Sequence, residues 1–288
     1  MRRITLILFV LFLLALSAPA QTATPQTEPD SGAMEALLTK AIKQGDTAQV
    51  SKLLDAGVNP DAVDEGAPVL IWAVRANHAD IAVLLLDRKA KVDKEDECRG
   101  TALQTAAAAG QAELVKLLIK HHADVNHKDE DGHKPLLFAA LGAAWVAAPE
   151  RIANEVFETE DIKFVIGKEH TKVATLLLDA GADVNSQAGD CGLTPLMVAA
   201  MIGDVEFARI LLDHHADVNL SNGEWTALQF TELFDSPDTR KEAAAERSEK
   251  ALSDFCEITR YGRQVVAAML RQAGAKRTTP NDSSAPPS

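Results

Sequence analysis

Leu70, Leu103 and Leu136 stand 33 residues apart, and the separations Leu70 to Val92, Leu103 to Val125 and Leu196 to Val218 are each 22 residues. A fixed period near 33 marks a helix-turn-helix-loop array rather than a domain built around one central core. Each unit reads as a short first helix containing a small pair (Ala106-Ala107, Ala139-Ala140, Ala199-Ala200) and then a turn at Gly45, Gly110 or Gly203. A second helix follows, apolar on one 3.6-residue face, as at Val205, Ala208, Leu211 and Leu212. No unit of this size covers its own apolar face, so neighbours must stack and share a core that runs the length of the array. The second helices are expected to end at Gly57, His122, Gly181, His215 and Gly274, each in the left-handed conformation that closes many helices.

The run Gly192-Leu193-Thr194-Pro195-Leu196-Met197-Val198-Ala199-Ala200 resembles the G-x-T-P-L-H-x-A-A signature of ankyrin repeats, and Leu176 to Asn185 resembles their L-L-L-x-x-G-A-D-V-N ending. The likeness recurs from about Met34 to Ala275. It implies an all-α ankyrin-repeat solenoid of about six helix-turn-helix-loop units, curved, with projecting loops, that binds other proteins. One departure is systematic: the family's histidine after T-P-L is replaced by Ile71, Gln104, Leu137, Met197 and Gln229. The hydrogen bonds which that histidine supplies between repeats are therefore expected to be missing, with apolar packing in their place.

Two units are stretched. Leu136 to Val184 spans 48 residues and Leu228 to Arg277 spans 49, which places extra chain between the paired helices at about residues 142–168 and 235–262. Structureless loops longer than about 12–15 residues are uncommon. Pro149 to Phe157 has a helix-start pattern, and Pro237 to Phe255 is rich in alanine and charge, with Glu246 four residues before Lys250. The insertions are expected to be partly helical, either lengthening and capping their repeats or bracketing a partner.

The N-terminus carries Arg2 and Arg3, an apolar run from Ile4 to Leu16, and Ala18-Pro19-Ala20 before Gln21. This is the pattern of a secretory signal peptide over residues 1–20. The run is shorter than the roughly 20 apolar residues of a spanning helix, which leaves an uncleaved anchor as the alternative. The expected location is the periplasm or the medium, with no stable membrane insertion after cleavage. Residues 21–33 and 276–288, rich in Pro, Thr, Ser and Ala, are expected to be disordered tails around a repeat domain over residues 34–275.

Cleavage would take the formal charge from −13 to −15, which repels phosphate backbones and argues against nucleic acid as a partner. The three cysteines fit no metal-site spacing. Cys98 and Cys191 occupy equivalent loops two repeats apart, too far for a disulfide, which leaves Cys191 with Cys256 as the pair to consider. His121-His122 and His214-His215 are also two repeats apart and read as helix ends, not as ligands of one ion. No phosphate loop, nucleophile elbow or H-E-x-x-H motif is present, so no catalytic, metal or cofactor residue is assigned.

Binding residues are nominated by position in the repeat. In ankyrin arrays the loop tips and the exposed side of the first helices form the concave surface. The resemblance thus implies contacts from Glu65, Glu97, Asp131, His133, Leu193 and Trp225 at the tips and from Arg75, Leu141, Met201 and Ile202 on the first helices. Trp145, in the first insertion, is placed to close over them. The expected partner is another protein that offers a basic or an apolar segment, met mainly at repeats four to six. Functions consistent with this are a plain binding module, an accessory or inhibitory factor of an exported enzyme, and a scaffold of an envelope complex.

Overall fold

The computed structural model describes residues 31–147, 168–187, 189, 191–233 and 249–276, without the side chains of 144–147, 168, 233 and 249–259. The leader, Pro149 to Phe157, Glu246 and the C-terminal tail beyond Lys276 lie outside the described residues. Twelve described helices form six pairs: α1 (Ser31–Lys43) with α2 (Thr47–Asp55), α3 (Val69–Arg75) with α4 (Ala79–Asp87), α5 (Ala102–Ala108) with α6 (Ala112–Lys120), α7 (Pro135–Ala147) with α8 (Lys168–Asp179), α9 (Pro195–Ile202) with α10 (Val205–Asp213), and α11 (Ala227–Leu233) with α12 (Glu249–Gln272). First helices pack on first helices and second on second, layer after layer. The six-unit reading of the period is the observed architecture. One boundary moves: Ser31 to Ala33, expected in the tail, form the first turn of α1.

The core is continuous from Leu38 to Leu270, and the repeating leucines are its filling: Leu70, Leu103, Leu136, Leu196 and Leu228 are all buried. The small pairs Ala106-Ala107, Ala139-Ala140 and Ala199-Ala200 are buried with them, which lets adjacent first helices approach closely. Caps start the helices where the sequence supplies them. Asp46 accepts from the Gln49 amide (2.9 Å), Thr194 from that of Met197 (3.2 Å), and Thr101 forms a capping box with Gln104.

The left-handed ends expected for the second helices are present, and His122 and His215 adopt φ +65° where other repeats use glycine. The turn between helices is left-handed at Gly45, Asn77, Gly110 and Gly203. The equivalent residue of the fourth repeat is Ala143, which stays helical inside α7, and α7 continues to Ala147. Alanine pays for a left-handed turn that glycine adopts freely, so the first insertion begins as a lengthened helix. The second insertion ends in the same manner: α12 is one helix of 24 residues and carries its extra chain as an N-terminal extension.

The A-D-V-N segments form a ladder along the stack. Asp61 Oδ1 accepts from the Lys91 amide (2.7 Å), Asp93 from Asp124 (3.1 Å), Asn126 from Asp183 (2.8 Å), Asn185 from Asp217 (2.8 Å) and Asn219 from Lys276 (2.9 Å). Each rung joins one repeat to the next. Where an aspartate stands two places before the rung residue, its own carboxylate accepts that residue's amide, as at Asp124, Asp183 and Asp217, and so fixes the turn that presents the rung. Asp93 is a carboxylate in a place where three rungs carry amides, and burial pushes its pKa up.

Candidate interaction surface

The loop tips are joined by backbone hydrogen bonds into a single row. In the second repeat the strands β1 (Val63–Asp64) and β2 (Ala67–Pro68) pair antiparallel around Glu65 and Gly66, both at positive φ, as a two-residue hairpin turn requires. The Glu97 amide donates to the Gly66 carbonyl (3.2 Å), the Glu130 amide to Cys98 (3.2 Å), and the Gly189 amide to Asp131 (2.9 Å). Within each tip an aspartate folds the turn: Asp96 Oδ1 accepts from the amides of Cys98 and Gly100, and Asp129 Oδ1, 33 residues later, from those of Asp131 and His133. Glu65, Glu97, Glu130 and Asp131 are left exposed along the row.

Asp129, Asp131 and His133 bring three potential metal ligands within 4.8 Å of one another. Asp129 is already committed, since its second oxygen meets His133 Nδ1 at 3.2 Å, and the same turn forms around Asp96 without a histidine. The cluster is therefore explained by the folding of the tip. His133 also stands edge-on to Phe138 at 5.8 Å.

Cys98 and Cys191 are free and exposed, and the Cys256 side chain lies outside the described residues. The nearby Glu130 carboxylate, through its charge and a hydrogen bond, pushes the Cys98 thiol up, and Asp96 and Glu97 add to this. A thiolate is disfavoured at this tip because the local potential is negative.

On the first helices the most organised feature is Trp72 of α3, which was not nominated from the sequence. Its indole nitrogen donates to the Asp64 carbonyl (3.0 Å), Lys43 Nζ lies 3.7 Å from the ring centroid, and the Arg75 guanidinium lies 5.0 Å from it. The two cations are held in turn by Glu65 (3.0 Å) and Asp96 (3.4 Å). Of the nominated residues, Glu65 and Arg75 thus belong to one cluster spanning repeats one to three. Glu97 reaches back across Gly66, where a Cβ would fall 2.3 Å from its carboxyl carbon.

Counting four residues from the helix-start position aligns Trp72, Thr105, Phe138, Val198 and Phe230. Three of the five are aromatic, and two of these lean on the tip of their own repeat, Phe138 on His133 and Phe230 on Trp225 (6.4 Å). This register was readable in the sequence, but inside a 3.6-residue pattern Trp72 looks like one more core residue. Leu141, Leu193, Met201 and Trp225 are half-buried and packed against the core. Ile202 is 4% exposed and is corrected from a contact residue to a buried one, at the end of α9, on which α12 packs. Trp145 lies in α7, with its side chain outside the described residues.

Residues 91–148 and 163–238 match the family described as ankyrin repeats in three copies, and residues 38–86 match ankyrin repeats in many copies. The chain belongs to the ankyrin-repeat family. Among curated proteins it is 33% identical over 133 residues to the ankyrin repeat and KH domain-containing protein mask-1 of Caenorhabditis elegans, covering 42% of this chain and 5% of that protein. It is 25% identical over 233 residues to the putative palmitoyltransferase ZDHHC13 of Danio rerio, covering 76% of this chain and 36% of that one. It is 31% identical over 218 residues to the human ankyrin repeat and SOCS box protein 16, covering 74% and 39%. The chain thus spans well under half the length of these relatives. Ankyrin repeats form a protein-protein interaction module.

Within the ankyrin framework the structure corrects one expectation. Gln104, in place of the family's histidine, is 2% exposed; its Oε1 accepts from the Thr101 amide (2.8 Å) and its Nε2 donates to the His133 carbonyl of the next repeat (2.9 Å). Gln229 Oε1 likewise accepts from the Thr226 amide (2.9 Å). The inter-repeat bond survives the loss of the ring, because a glutamine amide offers an acceptor and a donor at the same reach.

On the opposite side of the ankyrin stack, a residue at the start of two second helices links each to the layer before. Gln111 Nε2 donates to the Val74 carbonyl (2.9 Å), and His170 Nε2 to that of Ala108 (3.1 Å). The fifth repeat has Asp204 here. Asp204 Oδ1 caps α10 through the Phe207 amide (3.0 Å), while Oδ2 is buried with no partner among the described residues. The residue is 6% exposed and borders an open hollow of about 580 Å³ between α8 and α10.

Burial raises the Asp204 pKa against the opposing pull of the capping amides. Between the unfolded carboxyl value, about 3.9, and the raised folded value, the native state holds a proton that the unfolded chain has released. Stability is accordingly lost as pH rises through this window and stays lost above it. Asp204→Asn, an equally good cap, is expected to be more stable than wild type at pH 7, with the gain shrinking toward pH 3. Urea unfolding of both proteins across that range measures it; a gain that grows as the pH falls would contradict the assignment.

Proposed function

We propose that this chain is an exported, non-catalytic binding protein that holds a second protein along its first helices and tip row, in the periplasm or outside the cell. The observation that carries the reading is the pair of partly buried aromatics in one register, Trp72 and Phe138, set beside a row of tips fixed in place by backbone hydrogen bonds. Half-buried aromatics rimmed by charge are the usual centres of binding energy. Such a surface binds without large reorganisation, so little of its interaction energy is spent on ordering loops. The leader pattern at residues 1–20 supports the compartment.

The test uses the full chain expressed in a host that exports it. The mature protein is expected to begin at Gln21 by intact mass, and Trp72→Ala together with Trp225→Ala is expected to reduce crosslinked capture of its partner about tenfold or more, the usual scale for aromatic anchors. Undiminished capture by that double variant, shown to be folded by its helical circular dichroism, would remove the first-helix side as the binding surface.

A further inference from the structure

We propose that the first-helix face of repeats two to four, between Trp72 and Phe138, receives an extended basic peptide segment. This rests on the binding role proposed above and names the chemistry of the partner.

The face has two aromatic walls and a low floor. Trp72 stands on α3 and Phe138 on α7, while α5 between them carries the partly exposed Thr105 and Ala108 and is followed by the exposed Ala109, none of them large. At about 10 Å per packed layer the walls are about 20 Å apart. An extended chain rising about 3.3 Å per residue crosses that distance in roughly six residues. A helix, about 10 Å across with its side chains, is a poorer match to a trough whose edge is already a row of hydrogen-bonded tips.

Charge decides which extended segment fits. The tips bordering the trough carry Glu65, Glu97, Glu130 and Asp131. Glu65 is neutralised by Lys43, but among the described residues no cation lies within salt-bridge distance of Glu97, Glu130 or Asp131. The Cys98 thiol, in the middle of the row, reports the same negative potential. Trp72 already accepts two cations from its own protein, and each is steadied by a carboxylate. That arrangement of ring and acid is one a partner's arginine or lysine would extend along the row, since cations are attracted to aromatic faces and to unpaired carboxylates alike. An acidic segment would meet uncompensated like charge at two consecutive tips.

Fluorescence anisotropy tests this with the full mature chain and a labelled eight-residue peptide of alternating arginine and alanine; the matched glutamate-alanine peptide serves as control. The basic peptide is expected to bind, and the tip variant Glu97→Gln/Glu130→Gln/Asp131→Asn to weaken it about tenfold, three exposed ion pairs' worth. The variant Asp87→Asn/Glu113→Gln/Asp213→Asn removes the same charge from the second helices and is expected to change affinity less than about twofold, as screening predicts for distant charges. Equal weakening by the two variants would reduce the effect to general attraction by an acidic protein and overturn the proposal. So would equal binding of the acidic peptide, or a dimer of the chain that Trp72→Ala abolishes, which would give the face to a second copy. If the basic peptide fails to bind while partner capture still depends on Trp72 and Trp225, this inference falls and the binding role stands.

Discussion

Replacing Gly262 with alanine is expected to destabilise the protein by about 1–3 kcal/mol, the range for forcing a methyl group into a closed contact. Intrinsic propensity argues for the opposite sign, since alanine is favoured over glycine inside a helix by roughly 0.5–1 kcal/mol. Contact geometry outweighs it. A Cβ on Gly262 would lie 2.2 Å from the carbonyl oxygen of Gly203, 3.1 Å from its carbon and 3.3 Å from its Cα. All three are backbone atoms of the left-handed residue that ends α9, so no side chain can swing aside. Relief requires α12 to move off α9 and α11, against which it packs. Gly142 is in a similar position, with its added Cβ 2.2 Å from the Ala108 carbonyl oxygen. Urea unfolding followed by circular dichroism reads the change directly, and a Gly262→Ala protein at least as stable as wild type would show that the helices are not in this contact.

The second large effect is expected at Gln104. Substitution by leucine keeps the volume but strands the buried Thr101 amide and removes one of two hydrogen bonds to the His133 carbonyl, which keeps that from the Asp129 amide. At about 1–3 kcal/mol for a buried group left unsatisfied, the loss is on the order of 1–3 kcal/mol. Gln104→His, which restores the residue usual in this family, is expected to cost less than about 1 kcal/mol because the ring also offers an acceptor and a donor. Comparison of the two variants separates hydrogen bonding from packing. If leucine proved as stable as histidine, the stack would be held at this level by apolar contact alone.

The period of 33, the six units and the left-handed helix ends could be read from the sequence because each depends on residue spacing, which the chain displays directly. What spacing does not carry is who covers whom. Ile202 has the pattern of an exposed first-helix residue, and it is buried at the end of a helix on which α12 packs. Gln104 was discounted because it is not histidine, although the inter-repeat bond depends on donor and acceptor reach, not on the ring. Trp72 was passed over since a 3.6-residue pattern cannot distinguish a tryptophan that faces inward from one gripped between two cations at the rim. The nominated tips Glu65, Glu97, Asp131 and His133 are brought into one row, whereas Trp225 and Leu193 sit at its far end.

The chain of side-chain acceptors running from Asp61 to Asn219 has a direction: every carboxyl or amide oxygen points forward to an amide of the following layer. The first layer therefore gives without receiving and the last receives without giving, while each interior layer is tied on both sides. Detaching a terminal layer breaks one such tie and extracting a middle one breaks two, so local opening should be easiest at the two extremities. The trough between Trp72 and Phe138 straddles the third layer, which is tied on both sides and is among the last to fray.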